Sequence, residues 1–163
     1  MDIEADLQRI AIQEAELVFP HFDADTAWQL GVALREAARA RQGAVTIEIR
    51  RGEGLLFFHA MPGTTPANAD WARRKRHVVE LVQRSSYAMS LEGRRDGRDV
   101  QQKMGLPERD YACHGGSFPL IVAGAGVIGT ITVSGLPQRE DHALVVQVLA
   151  RLLGRDEPAL HLD

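Results

Sequence analysis

An α/β domain with a mainly antiparallel central sheet and helices on its faces is what this sequence predicts. Two segments carry the sheet, 44–60 and 118–134, each a pair of apolar-rich runs about a short glycine turn. Stretches with helical apolar spacing surround them in the order helix, helix, hairpin, helix, hairpin, helix. Hairpins join antiparallel strands, so a doubly wound parallel sheet is not the default. Size agrees with one soluble domain: 163 residues, 45% hydrophobic and 25% charged. The expected domain is 1–154, followed by a flexible tail over 155–163.

The first helix is expected over Ile3 to Val18, stopped by Pro20. Asp23 and Asp25 are candidate caps for a second, from about Thr26 to Arg41, with Gly43 past its end. Its inner face reads Ala27, Leu30, Leu34, Ala37 and Ala38. Ala44 to Arg51 alternates with period two, Val45, Ile47 and Ile49 against Thr46, Glu48 and Arg50. That is the pattern of a half-buried strand. A turn at Arg51-Gly52-Glu53-Gly54 returns the chain as a strand over Leu55 to Ala60. A single third helix, capped by Thr65 or Asn68, is expected from about Ala67 to Met89. Asp99 to Met104 reads as a short helix. Phe118 to Ala123 and Val127 to Ser134 form the second strand pair, and Pro137 opens a last helix over Gln138 to Leu153.

Tyr111 to Gln138 contains 28 residues without a charge, but six glycines and two prolines break it. A spanning helix needs about 20 continuous apolar residues, so buried strands are expected here and no membrane partner. The start, Met1-Asp2-Ile3-Glu4, lacks the basic-then-apolar pattern of a secretory signal, which points to a cytoplasmic protein. A single cysteine, Cys113, excludes a disulfide framework and a multi-cysteine metal site. The net charge of −3 argues against nucleic acid as the partner. Yet residues 71–109 carry ten basic and five acidic side chains, net +5. A basic middle in an acidic chain fits either a small anionic ligand or a solvated arginine-rich face.

On a wheel of 100° per residue, Trp71, Val78, Val82 and Met89 share a face of the third helix, and Lys75 lies within it. Arg74 and Ser85 flank that face, whereas Arg73 and Arg76 point away and read as solvent-facing. In the last helix, Asp141 stacks with Val145, Val148, Leu149 and Leu152, with His142 at the edge. A buried carboxylate needs a partner. Arg74, Lys75 and Asp141 are therefore either a buried ion pair or the walls of an anion pocket. His114, between Cys113 and the Gly115-Gly116 pair, is either a metal or haem ligand beside an amide-lined turn or part of a tight turn into a strand. No H-E-x-x-H, C-x-x-C-H, P-loop or G-x-S-x-G pattern occurs. Gly124-x-Gly126-x-x-Gly129 leads into a strand, the wrong context for a dinucleotide site.

The motifs His114-Gly115-Gly116-Ser117-Phe118-Pro119, Gly126-Val127-Ile128-Gly129, Val133-Ser134-Gly135-Leu136-Pro137 and Asp141-His142 resemble the haem-degrading (GlcG/HbpS-like) superfamily. A cytoplasmic branch of it is similar also in Asn68-x-x-Trp71-x-Arg73-Arg74-Lys75 and Ser85-Ser86-Tyr87. The resemblance spans about Asp25 to Leu153. It implies a profilin-like three-layer α/β/α domain, a homo-oligomer and, by analogy, haem as cofactor. Carried over residue by residue, it points to the Lys75 region and to Asp141-His142. The expected function is binding of a small anionic molecule, with haem or another tetrapyrrole the named candidate. Trp71, Arg74, Lys75, Ser85, His114, Gly115, Gly116, Asp141 and His142 are the expected contacts. An enzyme using Lys75, Asp141 and His142 for acid–base chemistry, or a purely structural oligomer, are the other classes left open.

Overall fold

The computed structural model describes residues 2–162. Met1 and Asp163, the ends of the expected domain and tail, lie outside the described residues. Six helices and five strands follow in chain order: α1 (Ile3–Glu16), β1 (Val18–Phe19), α2 (Ala24–Ala40), β2 (Thr46–Arg51), β3 (Gly54–Ala60), α3 (Pro66–Val82), α4 (Ser86–Asp96), α5 (Val100–Lys103), β4 (Ser117–Val122), β5 (Gly126–Ser134) and α6 (Gln138–Leu152). The sheet order is β1-β4-β5-β2-β3. Every pairing is antiparallel except β1 with β4. The expected mixed α/β architecture with a mainly antiparallel sheet is thus the one observed.

Alternation along the strands gives the sheet two unlike faces. Ile47, Ile49, Phe118, Leu120, Ile131 and Val133 point into an apolar core completed by α2 and α6. The intervening residues Thr46, Glu48, Ser117, Thr130, Thr132 and Ser134 are also buried, beneath α3. Here the half-buried reading of β2 needs correcting. Its polar residues are covered because a strand in the middle of an α/β/α sandwich has no solvent side. A second apolar cluster joins Leu7 and Ile10 of α1, Val78 of α3 and Tyr87, Met89 and Leu91 of α4.

Three further boundaries differ from the sequence reading. The first helix ends at Glu16, and Val18–Phe19 instead pair with Ile121 and Val122. The second helix closes with Gln42 in the left-handed region (φ 56°), and Gly43 follows, donating to Ala38 O. The long third helix is really two: Gln83 takes a left-handed conformation and Ser85 caps α4 by accepting from the Ala88 N–H. Without Gly or Pro at the break, periodicity alone runs straight through it.

The tail is also not loose. Pro158–Leu160 form a 3-10 turn that lies against α1 and α6. Leu160 and Leu162 are buried, Gln13 Nε2 donates to Leu160 O at 2.7 Å, and Arg9 bonds Ala159 O. Leu160→Ala is predicted to cost about 2–3 kcal/mol in urea unfolding, as for other buried leucines. A change within about 0.5 kcal/mol, the scale of an ordinary surface substitution, would contradict the docked tail.

Candidate functional site

Four consecutive cations on α3 diverge to four sets of acceptors. Arg73 bonds Asp70, Asp110 and Arg109 O. Arg74 donates twice to Glu108 O, at 3.1 and 2.7 Å, and its guanidinium stands 4.3 Å over the Trp71 ring. Lys75 turns under the helix to Asp141. Arg76 reaches Glu48 on β2 and Glu80 one turn along. The sequence reading of Arg76 as solvent-facing is therefore corrected, since it is 12% exposed and packed on Glu48, whereas Arg73 stays at the surface in ion pairs. Together with Ala112 N–H donating to Arg74 O and His77 Nδ1 against Asp110 O, this run pins segment 108–112 to α3. That segment delivers His114.

The Lys75–Asp141 pair is buried at both ends. Nζ lies 2.8 Å from Oδ2, and the side chains are 5% and 0% exposed. Lys75 also donates to Val133 O at 3.3 Å. Asp141 accepts from the backbone N–H groups of Gly135 at 3.3 Å and Leu136 at 3.0 Å, fastening the turn between β5 and α6. Burial pushes the Asp141 carboxyl above its ordinary value, and Lys75 together with those two N–H groups opposes the shift. Gly116 makes the arrangement possible. Its φ is +129°, and a Cβ there would lie 2.3 Å from Val133 O and 2.9 Å from Lys75 Nζ. Gly115 is as tightly placed, since a Cβ would lie 2.2 Å from Gln138 O. Both glycines sit behind the cleft wall and bring β4 against α6.

Above this pair opens a cleft of about 310 Å³ lined by Asn68, Trp71, Lys75, His114, Ser134, Gly135, Leu136, Gln138 and Asp141. The volume is at the small end of the roughly 300–1,000 Å³ typical of ligand sites. Trp71 and His114 meet edge to face, ring centroids 5.1 Å apart, at its rim. Burial, then the neighbouring Lys75 charge, lowers the His114 pKa, which keeps the imidazole neutral with a lone pair to offer. Lys75 has three N–H donors and two protein acceptors, so one donor remains for a ligand.

Of the expected contacts, Trp71, Lys75, His114 and Asp141 converge on this cleft. Arg74 stands behind Trp71 with its guanidinium already bonded. Ser85 is remote, engaged as the α4 cap and bonded through its N–H to Glu14. His142 points the other way, between Tyr87 and Phe118, with Nε2 2.8 Å from Gln13 Oε1. Because the Gln13 amide nitrogen donates to Leu160, its oxygen accepts, and Nε2 carries the hydrogen. Full burial pushes the His142 pKa down to about 3. Lys75, Asp141 and His142 therefore do not gather into an acid–base group. Cys113 is buried, its Sγ directed at Gln101 Oε1 and its pKa pushed up to about 11, so no thiolate faces the cleft.

Sequence reasoning missed Asn68, Ser134, Gly135, Leu136 and Gln138 as wall residues. Asn68 carried a signal, lying three and seven residues before Trp71 and Lys75 on one helix face. Gln138 carried none. It is positioned by Ser90 and by the Gly115 N–H, both distant in sequence.

Residues 22–150 match the model of a family described as haem degrading protein HbpS-like. A UPF0303 protein of Paraburkholderia phymatum is 57% identical over 162 residues, covering 99% of this chain and 98% of its own. The crystal structure of the Ybr137w protein superposes with a TM-score of 0.84 at 25% identity, over 91% of this chain and 87% of that one. The PduOC:heme complex superposes with a TM-score of 0.66 at 20% identity, over 82% and 94%, a likeness of fold.

Two outcomes follow from this geometry. Lys75→Ala should destabilise the protein by about 3–5 kcal/mol, because Asp141 stays buried without its cation. The Lys75→Met, Asp141→Leu double variant should recover much of that loss in chemical denaturation. His142 is neutral when folded and binds a proton once unfolded below about pH 6.5. Its contribution is thus present above that pH and is lost as pH falls toward 3. Between pH 6.5 and 5 the loss is about 2 kcal/mol, and His142→Gln should remove that part of the slope from urea titrations run at each pH.

Proposed function

The chain belongs to the HbpS-like family of haem-degrading proteins, and we propose that it binds a small anionic molecule in the cleft between α3 and the start of α6. The observation that carries this reading is Lys75: a buried ammonium with one donor unused, at the floor of an open cleft. An anion of the ligand takes that donor, Trp71 supplies an apolar wall, and Asp141 holds Lys75 in place. The protein works in the cytoplasm as a homo-oligomer.

Haem or another tetrapyrrole is the named candidate, and the donor set here suits it chemically. A propionate carboxylate matches Lys75, a planar ring matches Trp71, and the neutral His114 imidazole matches a metal centre. Bound haem would be held by Lys75, Trp71 and His114 and would supply a redox-active iron centre. Support from relatives is the family match and a fold neighbour solved as a haem complex.

A hemin titration of the purified protein, followed in the Soret band, tests the proposal. Saturation near one per subunit is expected. His114→Ala should shift the band and weaken binding at least tenfold. Lys75→Met, used with Asp141→Leu so that the fold is retained, should weaken it without moving the band. Non-saturating binding indifferent to both changes would remove haem as the ligand. A screen of small carboxylates by thermal shift then tests the broader reading, which fails if none stabilises the wild type more than the double variant.

A further inference from the structure

The two edges of the sheet are unlike. At one end β1 is only two residues long and is followed at once by Pro20, a blunt edge that recruits no further strand. At the other end β3 runs for seven residues, Gly54–Ala60, with β2 on one side and no partner on the other among the described residues. It contains no Lys, Arg, Asp, Glu or Pro, the devices by which proteins protect an edge. Leu55 is 51% exposed and Phe58 47%.

The direction of the free backbone groups follows from the pairing. Met61 N–H donates to Val45 O, and the register runs unbroken from there to Ile49–Phe57. Phe57, His59 and Met61 therefore turn their N–H and C=O toward β2, and Phe58 and Ala60 turn theirs outward. Beside the strand, α2 lies so close that a Cβ on Gly31 would meet the Phe57 ring at 2.4 Å. It adds two more exposed apolar side chains, Trp28, edge-on to Phe57 with ring centroids 5.8 Å apart, and Val32 one turn later. Leu55, Phe58, Trp28 and Val32 together expose on the order of 400 Å², taking about 150–250 Å² for a whole aromatic side chain. That is about half of what one partner contributes to a standard interface, before the strand backbone is counted.

We propose that the outer edge of β3, with Trp28 and Val32 of α2, joins two copies of this chain by antiparallel pairing of their β3 strands. A second copy is the occupant that matches the edge in every respect. An antiparallel strand pair is two-fold symmetric, so the same apolar, uncharged strand meets itself with no like charges opposed. The outward N–H and C=O groups of Phe58 and Ala60 find their complements on the copy, and the Phe58 side chains become cross-strand neighbours. The proposal rests on the self-association put forward above and assigns it a surface.

Light-scattering mass and mild-oxidation crosslinking test it on the full chain. Phe58→Pro removes an N–H that β2 does not use, so the fold should persist by circular dichroism while the mass drops to half or less of the wild type. Phe58→Cys should give a covalent dimer on oxidation. The wild type, whose one thiol is the buried Cys113, should not. If Phe58→Pro misfolds, the crosslink decides. A folded Phe58→Pro of unchanged mass, or no Phe58→Cys dimer in a protein that stays multimeric, overturns β3 as the seam and leaves self-association standing. A monomeric wild type at micromolar concentration overturns both.

Discussion

The buried Lys75–Asp141 pair is the constraint around which the rest of this molecule is arranged. It ties α3, on one face of the sheet, to the first turn of α6, which belongs to the other. Taking two charges out of water is costly, and only close contact with added hydrogen bonds offsets it. Every neighbour supplies that contact or makes room for it. Val133 O takes a second lysine proton, Gly135 and Leu136 give their N–H groups to the carboxylate, and Gly116 leaves no side chain in the way. A pair of hydrophobic residues of similar size would join the same helices at lower cost. What it would not leave is a spare N–H donor at the base of an open cleft.

The basic run on α3 serves the same end by a different route. Its members bond to backbone oxygens of Glu108 and Arg109 and to the carboxylates of Asp70, Asp110, Glu48 and Glu80. Surface ion pairs contribute little singly, typically below 1 kcal/mol. Here they act on position. They hold the 108–112 segment along α3, so that the chain arrives at His114 beside Trp71 and then passes through two glycines into β4. The four cations of this run are thus matched within the chain, and among them Lys75 keeps one N–H donor facing the cleft.

The sheet divides the labour between its faces. The α2/α6 side is a continuous apolar core. The α3 side is a buried layer of hydroxyls and one carboxylate, with Ser117 and Thr132 bonded to each other at 2.8 Å and Ser86 bonded to Ser117. Ser134, the last of that layer, opens onto the cleft. The family match, residues 22–150, runs from α2 into α6 and contains the whole of this strand layer and every cleft residue.

Periodicity was enough to read both hairpins and the last helix from sequence, and the cap at Asp23 was enough for α2, because those signals are written in neighbouring residues. The wheel likewise placed Lys75 and Asp141 on inward faces, and being inward forced each to have a partner. It did not say that they were each other's partner, since 66 residues separate them. The break at Gln83 was illegible, because an unremarkable residue adopts a left-handed conformation that only the packing of α4 on α1 makes worthwhile. Burial of both sides of β2, docking of Leu160 and Leu162, and the capture of Arg76 by Glu48 were hidden for the same reason. His142, one residue from Asp141, shows the limit most directly: a turn of 100° sends it to Gln13 and away from the cleft. Sequence by itself determined both hairpins, the course of α2 and α6, and that Lys75 and Asp141 face inward, since period and helix caps are local properties. Which buried group meets which, and therefore where the cleft lies, was decided only by tertiary structure, because contact between distant segments depends on how the layers pack.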